Sequence, residues 1–123
     1  MNIEVQTGTS TRQPLTPFLS DKEVAGILRM TREWVRNNAR EIPGFLRIGA
    51  KYRFARRSVE RWLGSLEPLL LAEELAALVQ TTPKWIYGNA ETLVGFLRLG
   101  RYVRFRPTEV RRYLDGDNTE VVQ

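Results

Sequence analysis

Apolar and polar positions alternate along this chain in a way that changes period several times. Val24, Ala25, Ile27 and Leu28 fall at helical spacing, directly after Ser20-Asp21-Lys22-Glu23. In that tetrad Ser20 can accept from the first turn while Glu23 reaches back, the arrangement of a capping box. Thr31 opens a second helix after a tight turn at Arg29-Met30, because a Thr oxygen suits the N-cap. The period then shortens to that of strands: Phe45–Ile48, a turn at Gly49-Ala50-Lys51, and a return over Tyr52–Phe54. Ser58–Leu63 goes back to helical spacing with Val59, Trp62 and Leu63 on one face, and Gly64 stops it. Helix, turn, helix, hairpin, helix is the predicted order, with a helix-turn-helix outline at its start.

The same pattern returns 51 positions later, without a gap, from Leu19/Leu70 to Leu63/Leu114. Its clearest stretch is GFLRIGAKYRF from Gly44, repeated as GFLRLGRYVRF from Gly95. Glu23/Glu74, Thr31/Thr82, Trp34/Trp85, Asn38/Asn89, Arg53/Arg104 and Val59/Val110 are identical pairs. Identity spread this widely indicates a duplication of one small unit. In the second copy Thr82 is followed by Pro83, the favoured residue for a first helical position. Leu71 stands where Ser20 stood, so that cap oxygen is missing. The expected layout is an N-terminal arm over 1–17, domains at 18–64 and 69–116, a linker at 65–68 and a tail over 117–123. The arm shows no helical period, and Leu69–Leu71 are placed to pack between the two domains.

Composition narrows the chemistry. The 123 residues contain no His and no Cys, which removes imidazole and thiol catalysis and the usual zinc ligand sets. Acidic residues are scattered, apart from Glu73-Glu74, so no metal cluster is expected, no cofactor, and no enzyme. No apolar run approaches the roughly 18 residues of a membrane span. The N-terminal stretch lacks the layout of a secretion signal, and a cysteine-free chain suits a reducing compartment. The expectation from these features is a cytoplasmic protein.

The net charge of +5 favours an anionic partner, and its distribution is uneven. Residues 19–64 hold eleven Lys/Arg against five Asp/Glu, whereas residues 65–116 hold seven against six. At about 100° per residue, Arg32, Glu33, Arg36, Asn37 and Arg40 share one face of the second helix, while Trp34 and Val35 turn inward. Arg can fork onto guanine, Asn onto adenine, and Glu can accept from cytosine. The corresponding face of the second copy offers Lys84 and Tyr87, with Glu91 where Arg40 stood. The hairpins add Lys51 and Arg53 in the first copy, and Arg101, Arg104 and Arg106 in the second, as candidates for minor-groove or phosphate contact. Phe45, Phe54, Trp34 and Trp62 are read as core, because a unit this small needs them inside.

The order LSDKEVAGIL, TREWVR, PGFLRIGAKYRFARRSVERWL resembles the excisionase-like branch of the MerR-type winged helix-turn-helix family. That family's pattern runs LT-x-x-E-A-A-x-x-L, S-x-x-T-V, a basic R-x-G-x-x-x-R hairpin and a closing [WY]-L. The resemblance covers roughly 18–64 and 69–115. It implies a mainly α fold with small β-hairpin wings (α+β), as two tandem winged helix-turn-helix domains. It also implies sequence-specific binding and bending of double-stranded DNA at an attachment site, with an integrase or recombinase as partner and self-association on DNA. A small transcriptional regulator of the same fold, and a protein-interaction adaptor, stay open as alternatives. Each hairpin tip keeps one basic residue where family members often carry two.

Overall fold

The computed structural model describes residues 16–116; the expectations for 1–15 and for the tail 117–123 lie outside them. Unit 1 runs β1 (Phe18–Ser20), α1 (Asp21–Leu28), α2 (Arg32–Asn37), a 3-10 turn (Ala39–Glu41), β2 (Phe45–Ile48), β3 (Lys51–Ala55) and α3 (Arg56–Leu63). Unit 2 repeats this order as β4 (Leu70–Leu71), α4 (Ala72–Val79), α5 (Pro83–Asn89), a 3-10 turn (Ala90–Thr92), β5 (Phe96–Leu99), β6 (Tyr102–Phe105) and α6 (Pro107–Leu114). Each hairpin is widened by a short antiparallel strand at its free edge: Leu19 lies opposite Phe54, and Leu70 opposite Phe105. These edge strands were not predicted. A strand of two or three residues carries no readable alternation, and it forms because the exposed edge of β3 or β6 offers unpaired backbone groups.

The caps are as the sequence indicates. The Ser20 hydroxyl accepts from the Glu23 N–H, and Glu23 accepts from the Ser20 N–H, at 3.0 and 2.8 Å. Thr31 and Thr82 accept from the N–H groups of Trp34 and Trp85. In α4 only half the box survives: Glu74 accepts from the Leu71 N–H at 2.9 Å, and Leu71 has no oxygen to return the bond. Gly44 explains one conserved letter of the repeat. Its φ is +84°, and a β-carbon there would sit 2.8 Å from Ser58 Cβ and 2.9 Å from the Ala55 nitrogen. This close approach lets the Gly44 carbonyl accept from Ala55 N–H at 2.9 Å, closing the start of the hairpin onto its end.

Each hairpin has two faces, and unit 2 buries both of them. Phe96, Val103 and Phe105 pack into the core of unit 2 with Leu75, Ala76, Ile86 and Val110. Leu97 and Leu99, on the other face, pack instead into the unit 1 core, the cluster that holds Leu28, Val35, Phe54 and Leu63. Leu69 joins them there, fully buried, which fulfils the packing role expected for this stretch. Fully burying a leucine stabilises by about 1.5–3 kcal/mol, so unit 1 draws part of its core from unit 2.

Polar contacts fix the same joint. Arg104 of β6 donates to the Leu28 and Arg29 carbonyls at 3.0 and 2.8 Å and to Met30 Sδ at 3.1 Å. Those carbonyls end α1, where Arg29 takes a left-handed conformation with φ 60° and helical partners run out. Arg106 donates to the Trp62 carbonyl near the end of α3, and to Phe96 O, both at 3.1 Å. Arg29 forms a forked pair with Glu74 at 3.0 and 3.2 Å, which holds the Glu74 carboxyl below its usual range. Guanidinium groups from unit 2 thus cap two helices of unit 1.

Candidate nucleic-acid interface

In α2, Val35 is fully buried and Trp34 packs half-buried on the core of unit 1. This anchoring turns Arg32, Glu33 and Asn37 outward, exposed as the wheel predicted. The helix stops at Asn37, sooner than the wheel assumed. Asn38 leaves helical geometry, and its side-chain amide donates to the Trp34 carbonyl at 2.8 Å. Arg40 consequently projects from the 3-10 turn, still exposed.

Between this segment and the inner face of the β2–β3 hairpin lies an open groove of ≈ 810 Å³, lined among others by Arg36, Asn37, Arg40, Arg47 and Tyr52. Arg47 faces it from β2, directly opposite Tyr52. The sequence reading did not single it out, although its place two residues after the core Phe45 gives the right strand parity. The Arg36 guanidinium lies 4.0 Å above the Tyr52 ring and that of Arg47 at 5.6 Å. Glu41 is the acidic member of the lining.

Asp21 organises the arginines. Its Oδ2 accepts from Arg36 Nη1 at 2.7 Å and from Arg32 Nε at 3.0 Å, and the residue is 4% exposed. Burial alone pushes the carboxyl pKa up, but the hydrogen bonds from Arg36 and Arg32 outweigh it and hold the group below its usual value. A depressed native pKa means stability that is complete above the unfolded value of about 3.9 and is lost as pH falls below it. Asp21→Asn should therefore cost about 2 kcal/mol at pH 7 and flatten the acid limb of a plot of melting temperature against pH. An acid limb identical to the parent's would exclude this role for Asp21.

The remaining predicted residues divide. Lys51 is exposed at the hairpin tip, and Arg53 lies on the outer hairpin face, opposite Leu46, with Nη1 on the Tyr52 carbonyl at 2.9 Å. Neither shares the groove with Arg36. In unit 2, Lys84 and Arg101 are exposed, and Tyr87 donates to Glu73 at 3.4 Å. Burial and then the Glu73 charge raise the Tyr87 pKa. Arg98, the counterpart of Arg47, is paired with Glu91 at 3.1 Å. Arg104 and Arg106, expected on a DNA-facing wing, have their guanidinium groups on backbone carbonyls at the unit joint. Burial, and then the nearby charge of Arg29, lower the pKa of Arg104.

A helix-turn-helix with a basic groove beside its second helix is the class these features define. Residues 18–66 match the family described as a helix-turn-helix domain, a class that docks its second helix in the major groove of DNA. The matched segment is unit 1 and part of the linker. No curated protein and no solved structure matches the chain. Among the described residues no helix is long and apolar enough to cross a membrane, and no group of three or more acidic residues could hold a metal ion.

Proposed function

We propose that this protein binds double-stranded DNA through unit 1, with α2 reading the major groove and the β2–β3 hairpin serving as a wing along the adjacent backbone. The observation that carries this reading is the gathering of Arg36, Asn37, Arg40 and Arg47 around one open groove. At the same positions unit 2 has Tyr87, Gly88, Glu91 and the paired Arg98. Both units are winged helix-turn-helix domains in this reading, and unit 2 has become a support for unit 1. Asn37 and Arg36 are assigned to base edges, Arg32, Arg40, Arg47 and Lys51 to phosphates, and Glu33 to the rim of the base-reading face.

The order of motifs further supports an excisionase-like accessory factor that bends attachment-site DNA and sets the direction of a phage or mobile-element integrase. With four phosphates neutralised, by Arg32, Arg40, Arg47 and Lys51, log affinity should fall against log salt with a slope of about −3.6. Fluorescence anisotropy on a selected site and on random duplex at several salt concentrations measures this. A salt-insensitive complex, or no complex with either DNA, would remove the DNA reading. Bending of an attachment-site fragment in a circular-permutation gel, with no change in integration-to-excision ratio, would remove the recombination role alone.

A further inference from the structure

The joint between the units has two sides, and the duplication has made a second copy of each. The acceptor side on unit 1 is the end of α1, Trp34 and the end of α3, covered by Leu69, Leu97 and Leu99. On unit 2 the corresponding residues line an open groove of ≈ 490 Å³ that includes Val79, Trp85, Leu93, Tyr113 and Leu114. Leu28 is 0% exposed and its counterpart Val79 41%; Leu63 is 1% exposed and Leu114 48%. The donor side shows the same contrast in reverse. Leu99 is 4% exposed, whereas Ile48 at the same hairpin position is 52% exposed, beside an exposed Leu46.

We infer that the unit 2 groove accepts the β2–β3 hairpin of a second copy of this chain, joining copies head to tail by the contacts that join unit 2 to unit 1. Arg53 is already posed for it. Its Nη1 donates to the Tyr52 carbonyl at 2.9 Å, as Arg104 Nη1 does to Val103 O at 2.8 Å. Arg104 then uses Nε and Nη2 on the end of α1, while among the described residues the Arg53 guanidinium makes no further hydrogen bond. The equivalent carbonyls on the next copy belong to Val79 and Gln80, and Gln80 has the same left-handed φ of 60° as Arg29. Donor and acceptor are different surfaces, so the contact is heterologous, and repeating it adds copies without closing a ring unless the rotation happens to close. Charge favours this order as well, because it sets the strongly basic unit 1 against the nearly neutral unit 2.

The joint between chains is weaker than the one within the chain. Gln80 replaces Arg29, so the forked pair with a glutamate is lost, and Ala55 replaces Arg106, so the second helix cap is lost. The internal joint also has its linker, which supplies an effective concentration of about 1 mM. Association is therefore sought between about 0.01 and 1 mM chain, by sedimentation velocity without DNA, so that failure of the DNA reading does not affect the result. The expected outcome is a mass average rising above the 14.2 kDa of one chain and passing the dimer without a plateau.

Ile48→Asp removes the donor and Leu114→Asp the acceptor, and each variant alone should stay at one chain. Mixed, they should form a one-to-one pair and nothing larger, since each retains the half the other lacks; that pairing also shows both are folded. A parent that stays single across the range, variants that associate like the parent, or a mixture that does not pair would overturn the inference. So would association that appears only when the chain is ended at Gly116, because residues 117–123 would then be the occupant of the groove.

Discussion

Arg104→Ala is expected to lower the free energy of unfolding by about 2–4 kcal/mol, while the same exchange at Arg53 costs under about 0.5 kcal/mol. The two residues occupy one position of the repeat and share the bond to their own strand. They differ in what the rest of the guanidinium reaches. Arg104 serves two carbonyls that α1 leaves without helical partners. A hydrogen bond from a charged donor contributes about 1.5–3 kcal/mol, and two from one side chain do not add fully. Arg104→Lys should recover only part of the loss, because an ammonium cannot fork across both carbonyls. Denaturant melts followed by tryptophan fluorescence test this, with Trp34 and Trp62 in unit 1 and Trp85 in unit 2. If the Arg53 and Arg104 variants melt together, the Arg104 cap is not stabilising and the joint rests on Leu69, Leu97 and Leu99 with Arg106 and the Arg29–Glu74 pair.

That comparison also marks where the sequence stops being readable. The duplication, the Ser20–Glu23 box, the Thr31 and Thr82 caps and the Gly64 stop depend on neighbours within a few residues, and each was legible. The two hairpins are nearly identical in letters but lie in different environments. Leu97 and Leu99 enter the core of unit 1, whereas Leu46 and Ile48, with the same pattern, stay exposed. Nothing local distinguishes them, since the difference comes from which unit has a neighbour on that side. The same reason hid the role of Arg104 and Arg106, which read as wing residues from spacing alone. Arg47 was missed for a smaller reason. In a hairpin rich in arginine, only strand parity against Phe45 and Tyr52 tells the groove face from the outer face, and charge counting ignores parity. Arg40 kept its exposure but lost its helix, because α2 ends at Asn37 and a 3-10 turn over Ala39–Glu41 follows.

The divergence of the copies leads to the other large effect. Removing Arg36, Arg40 and Arg47 together by alanine substitution is expected to weaken DNA binding by about 3–6 kcal/mol, or roughly 10²–10⁴-fold. The three act differently. Arg40 and Arg47 are exposed and make no bond to Asp21, and Arg47 reaches only the Tyr52 ring at 5.6 Å and the Gly49 carbonyl at 3.0 Å. Arg40→Ala and Arg47→Ala should therefore each lower stability by less than about 0.5 kcal/mol. Each should weaken specific and random DNA alike and reduce the salt slope by about 1. Arg36 stands on Tyr52 and on Asp21, so its loss should lower stability and binding together. Asn37→Ala touches neither charge nor core and should cost about 1–3 kcal/mol on the selected site only, with preference blurred at one base pair. The control lies 51 positions on. Unit 2 has Arg98 already neutralised by Glu91, so Lys84→Ala and Arg98→Ala should each change affinity less than about threefold, within the worth of an exposed ion pair. If those two exchanges cost as much as Arg40→Ala and Arg47→Ala, both units contact DNA. Unit 2 would then be a second reader, through Lys84 and Arg98, which are exposed on the side of unit 2 that does not pack on unit 1.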